Sequence, residues 1–86
     1  MAGQQRIVRV YTAPSCIQCT MTKKLMTELG ISFIEEDATR STVTEAIKYL
    51  DFTQAPVIVA GESGDDMWQG FQPARIKALA ERIRRE

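Results

Sequence analysis

The sequence predicts an α/β domain: one four-stranded mixed sheet flanked by three helices, in the order β-α-β-α-β-β-α. Three observations lead there. Segments rich in β-branched residues alternate with segments whose apolar residues recur every three or four positions. The strand–helix–strand opening demands parallel strands joined by a right-handed crossover. A Gly-containing turn joins the last two strands, which predicts an antiparallel hairpin. The 86 residues suffice for one domain, spanning 1–86, and not for two.

Ile7-Val8-Arg9-Val10-Tyr11 reads as the first strand, running into the turn Thr12-Ala13-Pro14-Ser15. The first helix spans Ile17 to Leu29. Met21, Leu25 and Leu29 mark its apolar face, and Gly30 is placed to stop it. Ile31-Ser32-Phe33-Ile34-Glu35 returns as a short strand. A second helix fits Thr42 to Leu50, with Ser41 as N-cap and Val43, Ala46, Ile47 and Leu50 on one side. Pro56-Val57-Ile58-Val59-Ala60 is a strand of buried type. Gly61 to Asp66 forms a solvated turn before a short strand around Met67-Trp68. The last helix opens at Pro73, carries Ile76, Leu79, Ala80 and Ile83 on its apolar face, and ends in Arg82, Arg84 and Arg85, which suit the helix dipole.

Composition narrows the function. Eleven basic and eleven acidic side chains cancel, leaving no electrostatic footprint for nucleic acid or an anionic membrane. No apolar run approaches the ~20 residues needed to span a bilayer. Met1 to Arg6 has no apolar stretch of signal-peptide type, so a cytoplasmic location is expected. Two cysteines three apart close too small a loop to act as a structural staple. The chain has no histidine, which removes the commonest general base and metal ligand. A zinc site needs about four ligands, so a metal or iron–sulfur module would have to be shared between two chains. A monomer with no resident metal or cofactor is the expectation.

Cys16-Ile17-Gln18-Cys19 lies where the first strand turns into the first helix. Free N–H groups and the positive dipole end favour a thiolate there, so Cys16 is expected to have a depressed pKa and to act as nucleophile. Cys19, one turn on, is placed to resolve the mixed disulfide. Lys23 and Lys24 read as a solvated helix surface.

Three segments resemble a known family. Val10-Tyr11-Thr12-Ala13-Pro14-Ser15-Cys16-Ile17-Gln18-Cys19 is similar to the Val-Tyr-Thr-Lys-Pro-x-Cys-Val-Gln-Cys of the NrdH-redoxins, glutaredoxin-shaped members of the thioredoxin superfamily. Gln54-Ala55-Pro56-Val57-Ile58-Val59 matches their Gln-Ala-Pro-Val-Val. Trp68-Gln69-Gly70-Phe71-Gln72-Pro73 matches their Trp-Ser-Gly-Phe-x-Pro. The resemblance implies the thioredoxin fold and a dithiol that passes electrons to the large subunit of class Ib ribonucleotide reductase and is itself reduced by thioredoxin reductase. It implies that Pro56 is cis, setting the Ala55 backbone beside the sulfurs to pair with an extended substrate. It also implies that Thr12, Pro14, Ile17, Gln18, Ala55, Pro56, Trp68, Gly70 and Phe71 form the partner surface, with Trp68 and Phe71 as apolar anchors rather than pure core.

Glutathione-dependent glutaredoxins, the alternative, usually carry Gly-Gly-x-Asp-Asp between the last strand and helix. Here that interval is Gly70-Phe71-Gln72, and Gly64-Asp65-Asp66 falls before Trp68, on the turn. Two positions depart from the resemblance. Ala13 stands where a lysine is common, which removes cationic help from the thiolate. Asp51 stands where a glycine often ends the second helix.

Overall fold

A computed structural model of the chain describes residues 7–40, 55–61 and 66–85. The elements in order are β1 (Val8–Thr12), α1 (Ile17–Glu28), β2 (Ile34–Asp37), β3 (Val57–Ala60), β4 (Asp66–Gln69) and α2 (Pro73–Arg85). The helix expected over Thr42–Leu50, with Ser41 and Asp51 at its ends, lies outside the described residues.

The sheet has the order β2-β1-β3-β4. β2 runs parallel to β1, with Val10 opposite Glu35. β3 is antiparallel to β1, with Val10 opposite Ile58, and β4 is antiparallel to β3, with Ile58 opposite Trp68. The ladders run on past the strand ends: Ala38 N–H donates to Thr12 O at 2.8 Å, and Gly61 N–H to Ile7 O at 2.7 Å. The sheet is thus mixed, and the expected hairpin is present.

Side chains alternate across a strand. One sheet face therefore carries Val8, Val10, Ile58, Ala60 and Trp68, and these join Met26 of α1 and Ile76, Leu79 and Ala80 of α2 in a single buried cluster. The two helices also pack on each other. α2 buries the face its periodicity predicts, and Ile83 packs at its margin. Asp66 opens β4 and pairs with Arg82 of α2 at 2.7 Å. It is a strand residue tied to the last helix, not part of a solvated turn, because the charge of Arg82 lies directly above it.

The buried line on α1 is Cys19, Thr22 and Met26, not Met21, Leu25 and Leu29. Leu25 and Leu29 pack at the edge of the core, whereas Met21 is 43% exposed. The helix is rotated because Cys19, three residues into it, faces inward. Every residue at +3 and +7 follows.

β2 starts at Ile34, three residues later than its β-branched run predicts. Residues 29–31 are used to close α1. Leu29 is the C-cap, Gly30 is left-handed at φ +76°, and Gly30 N–H reaches Thr27 O at 3.1 Å while Ile31 N–H reaches Met26 O at 2.9 Å. This pair of bonds is a Schellman closure, and it buries Ile31 as the apolar seal beneath it.

A Cβ at position 30 would meet no atom within 4 Å, so Gly30→Ala tests backbone conformation alone. It is expected to cost about 1 kcal/mol, read as a lower urea midpoint at unchanged slope. Met26→Ala, which opens a void in the core, is expected to cost about 3 kcal/mol in the same titration.

Candidate active site

β1 delivers the chain to the site through a tight turn. Ser15 takes a left-handed conformation at φ 56°, uncommon for a residue with a side chain and a feature of constrained functional loops. It turns the backbone so that Cys16, extended at φ −106° and ψ 103°, becomes the N-cap of α1. Its sulfur does what a capping oxygen does elsewhere: Cys19 N–H donates to Cys16 Sγ at 3.0 Å. Cys16 and Cys19 are disulfide-bonded, with their Cα atoms 5.2 Å apart.

The two sulfurs differ in access. Cys16 is half-buried, whereas Cys19 is 3% exposed. Ala55 O lies 3.7 Å from Cys16 Sγ. In the dithiol that carbonyl can accept the thiol proton. Against a thiolate its negative end opposes the help given by Cys19 N–H and the helix terminus. Ala13 adds no cation, and the Lys23 ammonium is held by Glu35 at 3.1 Å.

The Ala55–Pro56 bond is cis. Pro56 is buried, and its carbonyl accepts from Gly70 N–H at 2.8 Å. Gly70 is left-handed at φ 80°, which turns the chain after β4 back towards α1. The next amide, Phe71 N–H, donates to Gln18 Oε1 at 3.0 Å. Cys16, Gln18, Ala55, Pro56, Gly70 and Phe71 are thereby brought together from three separated segments. Phe71 is partly buried against the core. Pro14 is exposed, and Ile17 stands out at 77% exposure beside Cys16.

Of the expected surface residues, Pro56 and Gly70 are buried at the site itself, and two more, Trp68 and Thr12, are placed away from the surface. Trp68 is 4% exposed and belongs to the core. Its position opposite Ile58 puts it on the helix-covered face of the sheet, where the Arg75 guanidinium lies 5.8 Å from its ring centre. Its ring belongs to the core against which Phe71 packs, and 4% exposure leaves it little surface to offer a partner. Thr12 is also buried, its hydroxyl donating to Glu35 Oε2 at 3.0 Å. Thr12 fastens the start of the active-site turn to β2.

Glu35 lies outside the three segments that carry the resemblance. It receives the Lys23 ammonium and the Thr12 hydroxyl, and these hydrogen bonds, Lys23 first, hold its carboxyl below the ordinary value of 4.5. Asp37, held low by the Thr39 hydroxyl and then the Thr39 N–H, lines an open groove with Thr12, Ala13, Pro14, Glu35, Glu36 and Thr39. The only sign of this in the sequence was the acidic run Glu35-Glu36-Asp37 at the end of a strand. Among the described residues, no group of three His, Cys, Asp or Glu side chains is arranged to hold a metal ion, and no helix is long and apolar enough to cross a membrane.

A half-buried sulfur at a helix N-terminus, bridged to a buried one three residues on beside a cis-proline, defines a thiol–disulfide oxidoreductase of the thioredoxin fold. Comparison with known proteins narrows this. The glutaredoxin family model matches residues 8–64. The glutaredoxin-like protein NrdH of Escherichia coli K12 is 36% identical over 73 residues, covering 84% of this chain and 86% of that one. NrdH of Lactococcus lactis subsp. cremoris is 33% identical over 75 residues, covering 86% and 100%. The solved E. coli NrdH-redoxin, described as having a thioredoxin-like activity profile, superposes with a TM-score of 0.77 over 84% of this chain and 92% of that one. Thioredoxin O2 of Arabidopsis thaliana shares the fold, at 20% identity and a TM-score of 0.70 over 94% and 76% of the two chains. The chain belongs to the NrdH-redoxin branch of the glutaredoxin family.

Gln18→Ala removes the bond to Phe71 N–H. It is expected to cost about 1 kcal/mol and to speed hydrogen exchange at that amide, with the core amides unchanged. Glu35 gives a pH test. A carboxyl lowered in the fold stabilises above its unfolded pKa, and that contribution is lost as the pH falls through the folded value. Lys23→Met is therefore expected to raise the Glu35 midpoint, followed by its side-chain carboxyl resonance, and to flatten the loss of stability below about pH 5.

Proposed function

We propose that this protein is a dithiol electron donor to the large subunit of class Ib ribonucleotide reductase, recycled by thioredoxin reductase, and that it works in the cytoplasm as a monomer without a bound cofactor. The relatives support the class, and the unequal burial of the sulfurs supports the order of events. Cys16 is the sulfur a partner can reach. Its thiolate attacks one sulfur of the partner's disulfide, forming a mixed disulfide and releasing the partner's other sulfur as a thiolate. The Cys19 thiolate then attacks Cys16 Sγ. The Cys16–Cys19 disulfide forms, the partner leaves fully reduced, and two electrons have crossed. Thioredoxin reductase reverses the sequence at the expense of NADPH.

The observation that carries the choice of reductant is the hydrogen bond from Phe71 N–H to Gln18, beside that from Gly70 N–H to Pro56. In the interval where glutaredoxins grip glutathione, the N–H groups of Gly70 and Phe71 are already used within the chain, and Gly70-Phe71-Gln72 carries no acidic side chain. Ile17, exposed next to Cys16, offers apolar contact to a protein. Pro14, Gln18, Ala55 and Phe71 complete the contact surface in this reading.

The test is reduction of the oxidised protein by NADPH with either thioredoxin reductase or glutathione plus glutathione reductase. Turnover with thioredoxin reductase, and deoxyribonucleotide formation when class Ib ribonucleotide reductase is added, is expected. Turnover through glutathione alone would overturn the proposal. Cys16→Ser is expected to abolish electron transfer, and Cys19→Ser to accumulate a mixed disulfide visible on a non-reducing gel.

A further inference from the structure

Thr22 is wholly buried on the inward face of α1, one turn beyond Cys19, and its hydroxyl has no hydrogen-bond partner. A helical threonine ordinarily donates back to the carbonyl four residues earlier. Thr20 does so to Cys16 O at 3.3 Å, and Thr27 to Lys23 O at 2.9 Å. Thr22 does not. A buried hydroxyl left unpaired is costly, so a partner in another state of the protein is the natural explanation.

Cys19 needs such a partner. To resolve a mixed disulfide it must be a thiolate, and it must carry that charge where it is 3% exposed. Its surroundings offer little else. Among the described residues, the buried side-chain donors are the hydroxyls of Thr12 and Thr22 and the indole N–H of Trp68. The Thr12 hydroxyl is engaged by Glu35, and Trp68 stands on β4, two strands from β1, whereas Thr22 is one turn from Cys19 on the same face of α1. Of the charged groups on the packed elements, Lys23 of α1 is paired with Glu35. On α2, Arg75 lies against Trp68, Arg82 holds Asp66, Glu81 and Arg84 hold each other at 3.0 Å, and Lys77 is exposed. The sheet face below carries Val8, Val10 and Ile58. Side chains three apart on a helix are neighbours, with Cβ atoms roughly 5–6 Å apart.

We propose that Thr22 is the positioning residue of the resolving step, its hydroxyl donating a hydrogen bond to Cys19 Sγ when that sulfur is anionic. The inference rests on the order of attack given above. Cys19 loses its proton to solvent, Thr22 keeps its own, and the thiolate electron pair forms the bond to Cys16 Sγ as the partner sulfur departs. In the disulfide the Cys19 sulfur carries no charge, and Thr22 is left unpaired as observed.

Stopped-flow reaction of the reduced protein with the aromatic disulfide dithiobis-nitrobenzoate separates the steps, because each releases one coloured thiolate. The first phase reports attack by Cys16 and the second resolution by Cys19. Thr22→Val keeps the shape and removes the donor. It is expected to leave the first phase unchanged, to slow the second about tenfold at neutral pH, and to move the pH midpoint of the second phase upward. Thr22→Ser is expected to restore both. A second phase unchanged in Thr22→Val would overturn the proposal. So would a slowing that leaves the pH midpoint in place, or one that Thr22→Ser shares, since each marks a packing defect. Cys19→Ser must abolish the second phase and retain the first. Failure of that control would overturn the order of attack, and the role of Thr22 with it.

Discussion

The amide of Cys19 points at the sulfur of Cys16 across 3.0 Å, and much of the architecture keeps it there. The bond forms only if the chain leaves β1 and enters α1 with Cys16 at the capping position. β1 is held on both sides, by β2 and β3, so its end cannot drift. Thr12 ties that end to Glu35, and the left-handed Ser15 makes the turn. At the far end of α1, the Gly30 closure fixes where the helix stops. With both ends held, the rotation of the helix is set, and with it the inward position of Cys19, Thr22 and Met26.

That rotation separates the surroundings of two chemically identical side chains. The capping sulfur stays within reach of solvent, and the sulfur one turn later enters the core. A hydrogen-bond donor and a dipole favour charge on the outer sulfur. The inner one is shielded from solvent. The loop after β4 completes the arrangement from across the sheet. Gly70 and Phe71 donate to Pro56 and Gln18, so the segment with the cis bond and the helix with the cysteines are joined through a third segment. Trp68 lies beneath in the core cluster against which Phe71 packs.

The readings that succeeded and those that failed have different physical origins. Within the described residues, strand and helix identities were legible because β-branched runs and apolar periodicity act locally, and the arrest of α1 at Gly30 was legible because the left-handed closure favours glycine. The cysteine pair was legible because spacing and position carry its chemistry. The stripe Met21-Leu25-Leu29 misled because periodicity gives the width of an apolar face and not the rotation of the helix, which Cys19 set. β2 was read early because Ile31 looks like a strand residue, yet its amide and side chain are needed to seal a helix. Trp68 was read as an anchor because of its neighbours in sequence, while its position opposite Ile58 placed it inside.

By itself, then, the sequence determined the class of the molecule: a mixed sheet with amphipathic helices and a reactive dithiol at a strand-to-helix junction. Those properties depend on residues near one another in the chain. Only the tertiary structure decided which sulfur faces solvent, which hydroxyls are engaged and which is left waiting, and that Gln18 meets Phe71 across 53 positions. These depend on burial and hydrogen bonding between distant segments, which no local pattern encodes. The Cys16–Cys19 pair is thus a local inheritance, and the unequal burial of its two sulfurs is a property of the fold.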